Sequence, residues 1–201
     1  MTPILLLIDN GHGDPPLTGG KCSPDRRILE YTWAREIAQR LSRALTLSEV
    51  ETMLLVPEKH DVPLKERTRR ANAWCAKRGA QNCLLVSIHI NAAPGTGWSN
   101  ASGFSEFVAP NASQNSKRLA KLLYQEAEKA GLQGNRSVPA CRYWEGNFAI
   151  IRDTKCPAVL TENLFMTNRT EVDYLLSEQG KQTIVDIHVK AITRYINGEA
   201  A

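Results

Sequence analysis

Three apolar runs with no polar alternation constrain this chain more than any other feature. They are Ile4-Leu5-Leu6-Leu7-Ile8, Cys83-Leu84-Leu85-Val86-Ser87-Ile88-His89-Ile90 and Ala158-Val159-Leu160-Thr161. A strand with water on one face alternates apolar and polar residues. Runs that do not alternate belong to strands covered on both faces, as in a parallel sheet sandwiched by helices. Between them the spacing predicts helices over about 25–45, from Pro63 to a stop at Gly79, over 113–130 before Gly131, and over about 169–177 and 179–197. Weaker strand patterns cover 50–56 and 104–108, and residues 10–24, 91–103 and 132–148 read as loops. Elements alternating in this way predict a single α/β domain over 1–201, with a twisted, mostly parallel or mixed sheet and helices on both faces. No repeat, linker or low-complexity stretch interrupts it.

Composition excludes several classes of function. The 201 residues are 42% hydrophobic and 23% charged, so the chain is neither disordered nor fibrous. Twenty-five basic against 21 acidic residues give a net charge of +4. That suits an anionic polymer as partner but falls short of the concentrated basic patch that nucleic-acid binding demands. Arg67, Arg69 and Arg70 are the nearest thing to a basic run, and they lie inside a helical pattern. The first apolar run ends at Asp9, too short for a signal peptide of about 7–15 apolar residues or a spanning helix of about 20. The expectation is synthesis without a signal peptide and no membrane span. Cys22, Cys75, Cys83, Cys141 and Cys156 are odd in number and contain no CxxC pair, which argues against a disulfide framework or a zinc knuckle.

Open α/β sheets bind ligands beyond the carboxyl ends of their strands. The first run leads into Asp9-Asn10-Gly11-His12-Gly13, the second carries His89, and the last ends in Thr161-Glu162-Asn163. Glu30 shares a helical stripe with Ala34, Ile37 and Leu41, and a carboxylate on a core-facing stripe is costly unless a cation or donors meet it. Two imidazoles and one carboxylate form a catalytic zinc set with one open position, and Glu162 is then the extra carboxylate that accepts a proton from water. Gly11 and Gly13 leave room around His12 and let the chain turn sharply there. Each residue taken singly has a plainer reading. A histidine at a strand end is commonly a satisfied core group, Glu30 suits a first helical turn, and Glu162 could cap the next helix. His60, in a polar loop, and His188, among Ile184, Ile187 and Ala191, read as structural.

At these residues the chain resembles the zinc-dependent N-acetylmuramoyl-L-alanine amidases of the type 3 family. The similar blocks are Ile8 to Gly13 followed by Glu30, Leu64-Lys65-Glu66-Arg67 through Ala71-Asn72 to Ser87-Ile88-His89-Ile90-Asn91-Ala92, and Pro157 to Asn168. They occur in the family's order and cover nearly the whole chain. Asn10 stands where the family usually has proline, and Thr161-Glu162-Asn163-Leu164 where Val-Glu-x-Gly is commoner. The resemblance implies zinc held by His12, Glu30 and His89, with Glu162 as catalytic base. The implied reaction is hydrolysis of the amide joining N-acetylmuramic acid to the L-alanine of the peptidoglycan stem peptide. It further implies a monomeric, endolysin-like catalytic domain that acts on the cell wall after release or export, without a separate wall-binding module or an autoinhibitory helical insertion. Another zinc amidohydrolase or carboxypeptidase acting on wall peptides could use the same ligands. A non-catalytic peptidoglycan-binding module would be expected to have lost the base or a ligand.

Overall fold

Among the described residues six strands make one mixed sheet in the order β2-β1-β3-β6-β4-β5. The computed structural model describes residues 4–15 and 20–201, so residues 16–19 of the expected 10–24 loop lie outside the described residues. The strands are β1 (Leu5–Asn10), β2 (Glu51–Leu54), β3 (Cys83–Asn91), β4 (Ser105–Val108), β5 (Trp144–Glu145) and β6 (Ala158–Phe165). The helices are α1 (Glu30–Leu47), α2 (Leu64–Arg78), α3 (Gln114–Lys129), α4 (Ala149–Arg152), α5 (Arg169–Leu176) and α6 (Glu178–Ile196). β2, β1, β3 and β6 run parallel, β4 is antiparallel to β6, and β5 pairs parallel to β4.

Both faces of the sheet are covered, which is why the central strands do not alternate. On one face Leu6, Ile8, Leu84, Val86, Ile88 and Val159 pack against α1, α3 and α6. On the other, Leu5, Leu7, Leu85, Ala158 and Leu160 meet Ala71 and Cys75 of α2 and Ile150 and Ile151 of α4. Residues 87, 89 and 162 continue this second face toward the carboxyl ends of their strands.

The helix expected from Asp25 begins at Glu30 instead. Residues 22–29 fold into a tight loop closed by a bridge between Cys22 and Leu29. Within it Ser23 N–H donates to Ile28 O at 3.0 Å and Arg26 N–H to Ser23 O at 2.8 Å. Asp25 is used locally, accepting from Ser23 Oγ and from Arg27, rather than starting the helix. The 132–148 region contains the two-residue strand β5, and α4 follows it; both are too short to leave a periodic signal. β6 runs on to Phe165, so Glu162 lies inside the strand rather than at its end. Ser113 caps α3 by accepting from Ser116 N–H, and Gly79 ends α2 with φ 86. All five cysteines are free thiols, with Cys75, Cys83 and Cys156 buried.

Candidate active site

The carboxyl ends of β1, β3 and β6 open onto a cavity of about 940 Å³, whose lining includes His12, Glu30, His89 and Glu162. His12 follows β1 with φ 60, so the left-handed turn falls on the histidine itself and not on the glycines beside it. The two glycines serve close approach: a Cβ on Gly11 would collide with the His89 ring, and one on Gly13 with the backbone at Asp61. His89 comes from the end of β3, and Glu162 is its register partner on β6. Glu30, the first residue of α1, reaches over the sheet edge to meet them, its amide N–H donating to Lys21 O at 2.9 Å.

The ligand atoms of His12, Glu30 and His89 all lie within 4.8 Å of one another. Glu30 Oε1 is 3.0 Å from His89 Nδ1 and accepts from Ile90 N–H at 3.1 Å. Glu30 Oε2 is 3.4 Å from His12 Nε2, buried, and without a hydrogen bond. The two imidazole rings meet edge to face, their centroids 5.1 Å apart. Burial would raise the Glu30 pKa, but the His12 and His89 imidazoles outweigh it and hold the carboxyl well below the usual range. Glu30 is therefore a carboxylate.

A second set of residues determines how His89 presents itself. His89 Nε2 lies 3.1 Å from Ser87 Oγ, and Ser87 Oγ donates to Asp9 Oδ2 at 2.5 Å. Asp9 Oδ1 in turn accepts from Arg67 Nη1 at 2.7 Å. Because a carboxylate can only accept, the Ser87 hydroxyl proton goes to Asp9, and Ser87 Oγ accepts from His89 Nε2–H. In the neutral ring this sets the Nδ1 lone pair 3.0 Å from the Glu30 carboxylate, one acceptor against another. A cation relieves this arrangement. The N and O donor set is one that zinc accepts, and the orphaned Glu30 Oε2 is the second observation that fits it.

Arg67 was grouped with Arg69 and Arg70 in the sequence, yet it is 1% exposed while they pair on the surface with Glu66 and Glu58. Its guanidinium reaches Asp9, Asp61, Asn10 O, His12 O and Val62 O, tying the loop that carries His12 to α2. The available signal was its spacing: Arg67, Ala71 and Cys75 fall at i, i+4 and i+8 on the buried stripe of α2.

Glu162 Oε2 is buried with no hydrogen-bond partner. Burial, with the Glu30 charge adding to it, pushes the Glu162 pKa up to about 8, against the opposing charges of Lys21 and Arg136. Ser105 of β4 sits opposite Glu162 and accepts from Arg136 at 2.7 Å. Asn163 Nδ2 donates to His89 O at 2.8 Å, fixing the β3–β6 register where it shifts between His89 and Asn91. Leu164, where the family pattern has glycine, takes φ 65 while staying buried. His188 meets Thr161 on the opposite face of the sheet, and neither it nor His60 is among the lining residues of the cavity.

Residues 6–194 match the N-acetylmuramoyl-L-alanine amidase family. The chain belongs to this family. Its reaction is hydrolysis of the peptidoglycan amide between N-acetylmuramic acid and L-alanine. The endolysin of Bacillus phage SPP1 is 29% identical over 198 residues, which are 96% of this chain and 66% of that protein. N-acetylmuramoyl-L-alanine amidase CwlM of Bacillus licheniformis is 26% identical over 96% of this chain and 69% of its own length. The chain thus spans about two thirds of these amidase relatives. The crystal structure of an N-acetylmuramoyl-L-alanine amidase from Clostridium difficile 630 shares the fold, with a TM-score of 0.84, 23% identity and complete coverage of both chains. No helix among the described residues is long and apolar enough to cross a membrane.

Proposed function

We propose that this chain hydrolyses the N-acetylmuramoyl-L-alanine amide of peptidoglycan with zinc held by His12, Glu30 and His89 and with Glu162 as the general base. The observation that carries this reading is the convergence of His12, His89 and Glu30, whose ligand atoms lie within 4.8 Å of one another around the unpartnered Glu30 Oε2. Zinc bound there supplies Lewis acidity to the amide carbonyl and to water, and its charge favours the ionised form of Glu162. Glu162 accepts a proton from the attacking water at Oε2, the atom that no protein donor occupies. The same carboxyl then returns the proton to the leaving nitrogen of L-alanine. Leu64, Phe148, Leu160 and Met166 give the cavity an apolar wall beside the metal ligands.

The test is a peptidoglycan digest analysed by mass spectrometry, run with the wild-type protein and with Glu162→Gln. The expected products are free stem peptides beginning with L-alanine and glycan carrying intact muramic acid. Glu162→Gln keeps size and cannot accept the proton, so turnover should fall about 10²–10⁴-fold with zinc retained. Cleavage between two amino acids of the stem would instead make the chain a carboxypeptidase-like hydrolase.

A further inference from the structure

The cavity lining carries cations that the proposed chemistry does not use. Lys21, Arg26 and Arg152 belong to it, whereas its carboxylates, Glu30 and Glu162, are committed to the metal centre and to proton transfer. Arg152 is already engaged, donating twice to Asp153 and once to Asn147. Arg27, next in sequence to Arg26, is likewise held by Asp25 and Asp173. Among the described residues no carboxylate lies in ion-pair contact with Lys21 or Arg26, and the Arg26 guanidinium has only a 3.9 Å contact with Cys22 Sγ.

The backbone sets where these two side chains leave the loop. Lys21 and Arg26 adopt φ 58 and 59, the left-handed region that non-glycine residues rarely enter. The loop that imposes this is the 22–29 turn, stitched by Ser23 to Ile28 and by the Cys22–Leu29 bridge. Lys21 is fixed to the metal-bearing helix as well, because its carbonyl accepts from Glu30 N–H. Its charge reaches into the site far enough to oppose the upward shift of Glu162. The two charges that this loop presents are unspent.

We propose that Lys21 and Arg26 form a carboxylate-binding rim that selects stem peptides with a free carboxylate on the residue after L-alanine. The inference rests on the amidase reading above. In a stem peptide that residue is a D-glutamate joined through its side chain, so its α-carboxyl is either free or amidated. The Cα that bears this carboxyl is about 4 Å from the L-alanine Cα, and Lys21 and Arg26 line the same cavity as His12, Glu30, His89 and Glu162. A carboxylate there accepts charge-assisted hydrogen bonds that a carboxamide cannot reproduce.

The experiment compares kcat/KM for two soluble muramoyl tripeptides that differ only at this position, one with D-isoglutamate and one with D-isoglutamine. The wild-type protein should prefer the carboxylate substrate about tenfold, and added salt should narrow the preference. The double variant Lys21→Gln, Arg26→Gln should bring the ratio to within about twofold, while Lys21→Arg, Arg26→Lys should keep it. Each ratio is internal to one protein, so a loss of folded material does not alter it. Equal rates on both substrates for the wild type, or a preference that survives the double glutamine variant, overturns the rim. Failure to cleave the muramoyl–alanine bond of either substrate by zinc-loaded protein overturns the amidase reading itself, and the rim with it.

Discussion

Thr161 and Glu162 are neighbours on β6 and face opposite sides of the sheet, and each side has a partly or wholly buried histidine close by. On the Thr161 side His188 is fully buried, its Nε2 3.1 Å from Thr161 Oγ1 and its Nδ1 2.8 Å from Ile184 O. Both ring nitrogens are spent on the protein. On the Glu162 side His89 spends one nitrogen on Ser87 and aims the other at a carboxylate across a cavity. Burial therefore does not separate a structural histidine from a functional one. A convergence of two imidazoles on an unpartnered carboxylate oxygen does, and His12, His89 and Glu30 make it on the Glu162 side.

Arg67 gives the largest expected effect. It neutralises Asp9 and Asp61 while buried, so Arg67→Met removes the cation from beside both and should cost about 3–5 kcal/mol in chemical denaturation. A loss below about 1 kcal/mol would mean that the charges are solvated and that the metal side is not braced in this way.

The structural histidine makes its own prediction, with a defined sign. Burial lowers the His188 pKa from 6.5 to about 4, against the hydrogen bond to Ile184 O that raises it. The unfolded imidazole thus binds a proton in a range where the folded one refuses it. Stability present above pH 6.5 is lost as pH falls toward 4, by about 3 kcal/mol. Unfolding free energies of the wild type and His188→Gln, measured from pH 7.5 to 4, should differ in slope over that window. Parallel curves would show that His188 titrates normally.

Much of this division was legible in the sequence. Runs buried on both faces fixed a covered sheet, and the sheet brought His12, His89 and Glu162 to one edge. Glu30 was legible because a charge on the stripe of Ala34, Ile37 and Leu41 needs a partner, and all three neighbours are fully buried. The start of α1 was not, because Asp25 fits a helix start as well as it fits the loop it closes. The Arg67–Asp9–Ser87 relay was not either. Its contacts span 58 and 78 residues, and no local pattern reports which arginine of a basic helix turns inward.

Ser87 gives a smaller effect. Ser87→Ala removes the acceptor that fixes the His89 tautomer but leaves every ligand in place. Zinc affinity should fall about 10–100-fold in a competition titration, with the fold unchanged. An unaltered affinity would show that Glu30 alone orients the ring.

The most direct test of the account is zinc stoichiometry by elemental analysis of three purified proteins side by side: the wild type, His89→Ala and His188→Gln. The account predicts about one zinc per chain in the wild type and in His188→Gln, and loss of zinc in His89→Ala. Zinc retained in full by His89→Ala, or lost from His188→Gln while the protein remains folded, would contradict it.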